Sequence, residues 1–104
     1  MSVYPYLFSY SEESVYGRTA SLLRTHVPAD AEGIVLDLGC GGAAISAAVD
    51  APDWTYVGVD ASAEAIEHIA DRGLEGHVAD LEAADVAATL ARIVDGRRVL
   101  AVLA

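Results

Sequence analysis

Apolar and polar positions along this chain alternate between two periods, one helical and one extended. Over residues 11–27, Val15, Thr19, Leu22, Leu23 and His26 recur at helical spacing, which predicts a helix with those residues on its inner face. Ser11 stands where it can cap that helix, and Glu12 and Glu13 occupy the first turn, where the macrodipole favours acids. Gly17 weakens the helix, and the "PADAEG" that follows reads as a turn. Residues 34–38, "IVLDL", form a short apolar run that predicts a strand, broken by "GCGG". A short helix over 43–50 is expected to end at Ala51-Pro52.

The same alternation continues to the last residue. "TYVGVD", 55–60, predicts a second strand, and Ser62 a cap for a helix that buries Ile66, Ile69 and Ala70 and stops at Gly73. "GHVAD", 76–80, predicts a third strand. Val86, Leu90, Ile93 and Val94 mark the apolar face of a helix over 83–96, with Gly96 at its C-terminus. "RVLAVLA", 98–104, predicts a fourth strand. Strands alternating with helices call for a parallel sheet covered on both faces, with right-handed crossovers. The expected fold is therefore α/β and Rossmann-like, in three layers. One domain spans 1–104, with an arm and helix over 1–32 and a βαβαβαβ core over 33–104.

Composition narrows the function. The 104 residues carry 16 acids against six basic residues, all arginine, for a formal net charge of −10. Such a surface repels nucleic-acid backbones and anionic membranes. The absence of lysine and the abundance of alanine fit either a GC-rich genome or adaptation to salt. No apolar run approaches the roughly 20 residues of a spanning helix, and no signal peptide is read at the N-terminus. A single cysteine, Cys40, excludes an internal disulfide and fits a reducing, cytoplasmic setting. His26, His68 and His77 do not make metal spacing with Cys40, so no metal site is expected. No Ser-His-Asp or Cys-His arrangement is suggested, and no catalytic residue is assigned.

Candidate chemistry gathers at the glycine turn. Gly39, Gly41 and Ala44 satisfy the dinucleotide pattern G-x-G-x-x-A, and Asp60 ends the second strand twenty-one residues after Gly39, where a carboxylate can hold ribose hydroxyls. Asp37, at the entrance of the turn, changes that reading. A pyrophosphate brings two negative charges, which a neighbouring carboxylate repels; an ammonium or sulfonium group is attracted. The local charge favours a cationic nucleoside over a dinucleotide. An NAD-type dinucleotide-binding domain, a non-catalytic nucleotide-binding module and a non-binding α/β unit are the alternatives.

"VLDLGCGGA" resembles the first motif of class I S-adenosylmethionine-dependent methyltransferases, an acidic residue followed by G-x-G-x-G. "YVGVDAS" resembles their second motif and "GHVADLE" their third, in the same order and at the same strand ends. Ala43 departs from the pattern, which usually has a third glycine there.

This resemblance implies S-adenosylmethionine as cofactor. Its methionine part would lie on the backbone of Gly39, Cys40 and Gly41, with Asp37 near its ammonium group. Asp60 would take the ribose hydroxyls, Ala61 would lie against the adenine, and Asp80 and the Leu81 N–H would meet the adenine edge. Tyr16 and Arg18 are candidates for the cofactor carboxylate, although Arg18 reads equally as a solvated helix charge. Tyr4, Tyr6 and Tyr10 read as a packing arm or an aromatic lid. Cys40 by itself reads as a small loop residue.

The resemblance also implies a sheet of order 3-2-1-4 that is truncated from seven strands. The residues that bind the methyl acceptor would then follow the fourth strand. The fourth strand, 98–104, would be left as an apolar edge without proline, bulge or inward charge, and a homodimer through it is expected.

Overall fold

The protein is described by a computed structural model over residues 15–104, with side chains from Gly17 onward. The helix α1 (Val15–His26) leads into β1 (Gly33–Leu38), and a 3-10 segment (Ala44–Ala48) separates it from β2 (Trp54–Asp60). Then come α2 (Ala63–Asp71), β3 (Glu75–Val78), α3 (Val86–Val94) and β4 (Val99–Leu103). The four strands make one parallel sheet in the order β3-β2-β1-β4. This is the expected α/β Rossmann-like architecture, with β1 and β2 inside the sheet.

Two apolar layers close over the sheet. On one face Ala20 and Leu23 of α1, with Val27 just past its end, pack on Val35, Ala48 and Trp54, and the layer continues through Ala43, Tyr56, Ile66 and Ile69. On the other face Ile93 of α3 packs on Ile34, Leu36, Val57, Val59 and Ala79. Residues 34–37 are all buried, which is why β1 reads as a continuous apolar run rather than an alternating one. Among the described residues no helix is long and apolar enough to cross a membrane.

Several boundaries and faces differ from the sequence expectation. Ser11, Glu12 and Glu13, and with them Tyr4, Tyr6 and Tyr10, lie outside the described residues. Within residues 17–26 of α1 the buried ones are Gly17, Ala20 and Leu23, followed by Val27 just past its end, not Thr19, Leu22 and His26; Leu22 is 59% exposed. Gly17 and Ala20 are both buried, and Ala20 belongs to the core cluster with Leu23 and Val35. Residues 43–50 do not make an α-helix. Ala43 is left-handed, at φ 61°, and the five-residue 3-10 segment it opens ends before Pro52.

Ala70 faces solvent, and α2 buries Ile66 and Ile69 alone. Ser62 caps α2 as expected, its hydroxyl accepting from the Ala65 N–H at 3.1 Å. The third strand begins at Glu75 and ends at Val78, so Asp80 lies two residues beyond it. The third helix is confined to Val86–Val94, and its left-handed C-cap is Asp95, followed by Gly96. The strand β4 does carry an irregularity. Ile34 pairs with Val99 but Val35 with Ala101, so Leu100 is the extra residue.

Candidate functional site at the glycine turn

The carboxyl ends of β1, β2 and β3 lie side by side, and each brings an aspartate to the same edge of the sheet. Asp37 is the next-to-last residue of β1, Asp60 the last of β2, and Asp80 follows β3 by two. The register sets Asp37 beside Gly58 and Asp60 beside Val78. With strands about 4.8 Å apart, the three carboxylates step across the sheet over the ends of adjacent strands.

The turn between β1 and the 3-10 segment is tied to β2 from two sides. Gly39 N–H and Cys40 N–H both donate to the Val59 carbonyl, at 2.7 and 3.1 Å. Gly41 N–H donates to Asp60 Oδ2 at 2.9 Å. Gly39 and Gly41 take φ of 77° and 52°, and a Cβ on either would point into open space. Their role is therefore conformational: the chain has to turn in the left-handed region, where glycine carries no penalty. Ala43 does the same with a methyl group, which is fully buried against Tyr56, Ile66 and Ile69.

Asp60 and Asp80 are held alike. Ser62 N–H donates to Asp60 Oδ1 at 2.9 Å, and Glu82 N–H donates to Asp80 Oδ1 at 2.9 Å. Each is an Asx turn, in which the carboxylate fixes the loop that leaves its strand. A carboxylate offers about four lone-pair sites. Asp60 spends one on each oxygen within the protein, so both oxygens keep an acceptor position toward the open side of the turn. The row of acceptors beside open glycine backbone fits a ligand that carries hydroxyl, amino and ammonium donors.

Asp37 differs from the other two. It is 7% exposed, and its Oδ2 accepts the Tyr56 hydroxyl at 2.7 Å. Burial pushes its carboxyl above the ordinary range, the Tyr56 hydrogen bond opposes that rise, and the nearby charge of Asp60 adds to it. Cys40 lies beside this pair. Burial, and then the charges of Asp37 and Asp60, push its thiol up to about 11, so it stays a neutral thiol at neutral pH.

The fold thus brings together Asp37, Gly39, Cys40, Gly41 and Asp60, with Ala61 exposed immediately after them. Asp80 and Leu81 stand one strand further along; Leu81 packs its side chain on the α3 face of the sheet. Arg18 is exposed on α1, which packs against the 3-10 segment after the turn. The side chain of Tyr16 lies outside those described. Among the described residues no group of three His, Cys, Asp or Glu side chains is arranged to hold a metal ion.

Three residues at the site escape sequence reasoning. Tyr56 depends on cross-strand register for its contact with Asp37. Arg72, at the end of α2, donates to the Gly42 carbonyl at 2.8 Å and bridges thirty residues, for which no sequence signal exists. Gly58 did carry a signal, since a glycine inside a strand marks a close approach. A Cβ there would meet Cys40 Sγ at 2.8 Å, Ile69 Cδ1 at 3.0 Å and the Tyr56 hydroxyl at 3.1 Å.

The model of the methyltransferase small domain matches residues 7–95. The chain belongs to this family. Two solved structures share its fold. One is the YcgJ protein of Bacillus subtilis, 24% identical with a TM-score of 0.50, over 64% of this chain and 32% of that one. The other is a coclaurine N-methyltransferase bound to N-methylheliamine and SAH, 22% identical with a TM-score of 0.52, over 74% of this chain and 27% of that one. The chain therefore spans about a third or less of the length of these structures. No curated protein matches the sequence.

Proposed function

We propose that this chain is the cofactor-binding portion of a methyltransferase that uses S-adenosylmethionine. The observation that carries the reading is the row of Asp37, Asp60 and Asp80 over three adjacent strand ends, beside a turn whose glycines open onto free space. The remaining acceptor positions of Asp60 take the two ribose hydroxyls. Ala61, exposed after β2, lies against the adenine. Asp80 and the Leu81 N–H hold the adenine edge, and the backbone of Gly39, Cys40 and Gly41 carries the methionine part with Asp37 toward its ammonium. Tyr16 or Arg18 meets the cofactor carboxylate.

When bound, the cofactor supplies a methyl group on a sulfonium, to be displaced in line by an acceptor atom. The part played by these residues is to orient it, which is where a positioning enzyme gains most of its rate. No acceptor-binding or catalytic residue is assigned among them, and the 104-residue chain alone is expected to bind cofactor without turning over. Titration calorimetry with S-adenosylmethionine, S-adenosylhomocysteine and NAD tests the reading. Binding of the first two and not of NAD is the expected result. Tight NAD binding with no response to the others would instead favour the dinucleotide alternative.

We also propose that the 104-residue chain pairs with a second copy through residues 98–104. Among the described strands β4 has one neighbour, β1. Its Val99 and Val102 are 38% and 55% exposed, and a groove of about 300 Å³ lined by Leu22, Leu23, Val27, Leu100 and Leu103 runs beside it. A second β4 edge is the occupant that satisfies both the backbone groups that no described strand pairs and this apolar margin.

A further inference from the structure

The best-buried polar contact of the site joins two residues on neighbouring strands that are not direct partners. Asp37 pairs in register with Gly58, and Tyr56 pairs with Val35. The tyrosine side chain therefore runs diagonally along the sheet toward the strand ends. It passes over Gly58, where a Cβ would stand 3.1 Å from its hydroxyl, and donates to Asp37 Oδ2 at 2.7 Å. Both side chains are buried, Tyr56 to 6% exposure and Asp37 to 7%. The missing side chain at Gly58 is the notch that lets the tyrosine through.

We propose that Tyr56 is a positioning residue for the cofactor, holding the Asp37 carboxylate charged and aimed at the cofactor's ammonium group through the notch at Gly58. This rests on the cofactor reading given above. Three observations support it beyond the contact itself. The other group acting on Asp37 is Asp60, an anion that opposes its charge, and the neighbouring Cys40 is a neutral thiol. The Tyr56 hydroxyl is therefore the described group that opposes neutralisation of Asp37. Its own proton is held firmly, since burial and the Asp37 charge both push the phenol upward, so it stays a donor throughout the accessible pH range. Finally, Asp37 stands two residues before Gly39, so a rotation of its carboxylate changes what the turn presents to a ligand without moving Asp60 or Asp80.

Two ligands separate positioning from general damage. S-adenosylhomocysteine carries the amino-acid part; 5′-methylthioadenosine has the same adenosine and thioether but no ammonium. Calorimetry on the 104-residue protein is expected to show Tyr56→Phe weakening S-adenosylhomocysteine about tenfold, the scale of one hydrogen bond to a charged group. Affinity for 5′-methylthioadenosine should stay within about twofold of the unsubstituted protein. As the pH is lowered, the S-adenosylhomocysteine affinity of Tyr56→Phe should fail at a higher pH than that of the unsubstituted protein, because Asp37 protonates earlier. The 5′-methylthioadenosine affinity should show no such displacement.

Asp37→Asn should weaken S-adenosylhomocysteine similarly, and adding Tyr56→Phe to it should cost little more. Equal losses for both ligands, or an unchanged S-adenosylhomocysteine affinity, would overturn the role of Tyr56 while leaving the cofactor reading intact. If the unsubstituted protein binds neither ligand, the cofactor reading fails and this role fails with it. Should Tyr56→Phe melt below the assay temperature, Gly58→Ala provides the second variant. It blocks the notch while keeping the hydroxyl, and the same ligand split is expected.

Discussion

Asp60 Oδ2 accepts the backbone N–H of Gly41 at 2.9 Å, across nineteen residues and two neighbouring strands. One carboxylate thus fixes the middle of the glycine turn while its other oxygen starts the loop after β2 through the Ser62 N–H. The residue that would hold the ribose is also the one that shapes the backbone beneath the methionine.

Asp60→Ala should therefore do more harm than the loss of ribose contacts alone. Cofactor affinity is expected to fall at least tenfold, given about 1.5–3 kcal/mol for each hydrogen bond to a charged acceptor. Asp60→Asn, which keeps an oxygen for one of the two N–H groups, should fall between it and the unsubstituted protein. Asp80→Ala should cost less than Asp60→Ala, because its Asx turn with Glu82 holds a loop and not the glycine turn. Calorimetry with S-adenosylhomocysteine ranks the three. An Asp60→Ala protein with unchanged affinity would reject the site.

The opposite end of the sheet carries a separate clamp. Arg97 donates through Nη1 and Nη2 to both oxygens of Glu75, each at 2.8 Å, and also holds the Ile93 and Val94 carbonyls at the end of α3. This bidentate pair, with a third hydrogen bond from His77, lowers the Glu75 carboxyl from 4.5 to about 2. A carboxylate depressed in the folded state contributes stability above its unfolded value, and that contribution is lost as pH falls through the folded one. The window is therefore pH 4.5 down to about 2. Glu75→Gln should lower stability at neutral pH by about 1 kcal/mol, since the pair is partly exposed. It should also flatten the acid limb of a plot of denaturation midpoint against pH in that window. An acid limb identical to that of the unsubstituted protein would show that the clamp adds nothing.

Much of this fold was legible because parallel strands buried on both faces leave unbroken apolar runs, and because glycine and proline punctuate them. Asp37, Asp60 and Asp80 were legible because strand ends can be read from those runs. The inner face of α1 was misread for a physical reason. Gly17 and Ala20 bury little apolar surface, so a search for large apolar residues selects Leu22 and His26, which face outward. The Tyr56–Asp37 and Arg72–Gly42 contacts were illegible because they depend on register and on where a helix ends in space. Both are absent from any periodicity.

Ala43 gives a third test. Its left-handed φ of 61° costs about 1–2 kcal/mol for a residue with a Cβ. Its methyl is fully buried, worth about 0.8 kcal/mol, and glycine would loosen the unfolded chain by a similar amount. These effects oppose one another, so Ala43→Gly should change stability by less than about 1 kcal/mol. Ala43→Val keeps the strained φ, adds branching and overfills a packed position, and should cost about 1–3 kcal/mol. Denaturant midpoints of the two variants check the contrast. A large loss in Ala43→Gly would mean that the methyl contact with Tyr56, Ile66 and Ile69 outweighs the backbone strain.

Pairing through β4 makes the last prediction. The extra residue at Leu100 disrupts the β1–β4 ladder near its start, while Ala101–Leu103 pair regularly with Val35–Asp37. A bulge of this kind twists a strand and makes it a poorer template at that point. Among the described strands none pairs with its outer side, and Val102 projects from it on the face away from the α1 groove. The contact is thus short, and a concentration-dependent dimer is expected rather than a permanent one. Light scattering over a hundredfold range of concentration should show the apparent mass rising from one copy toward two. Val102→Lys places a charge in the regular stretch and should shift that rise to higher concentration. It should leave the affinity for S-adenosylhomocysteine unchanged, because the glycine turn is held from β2 through Val59 and Asp60 and not from β4. A mass that stays at one copy throughout the range would sink the pairing and leave the cofactor site untouched.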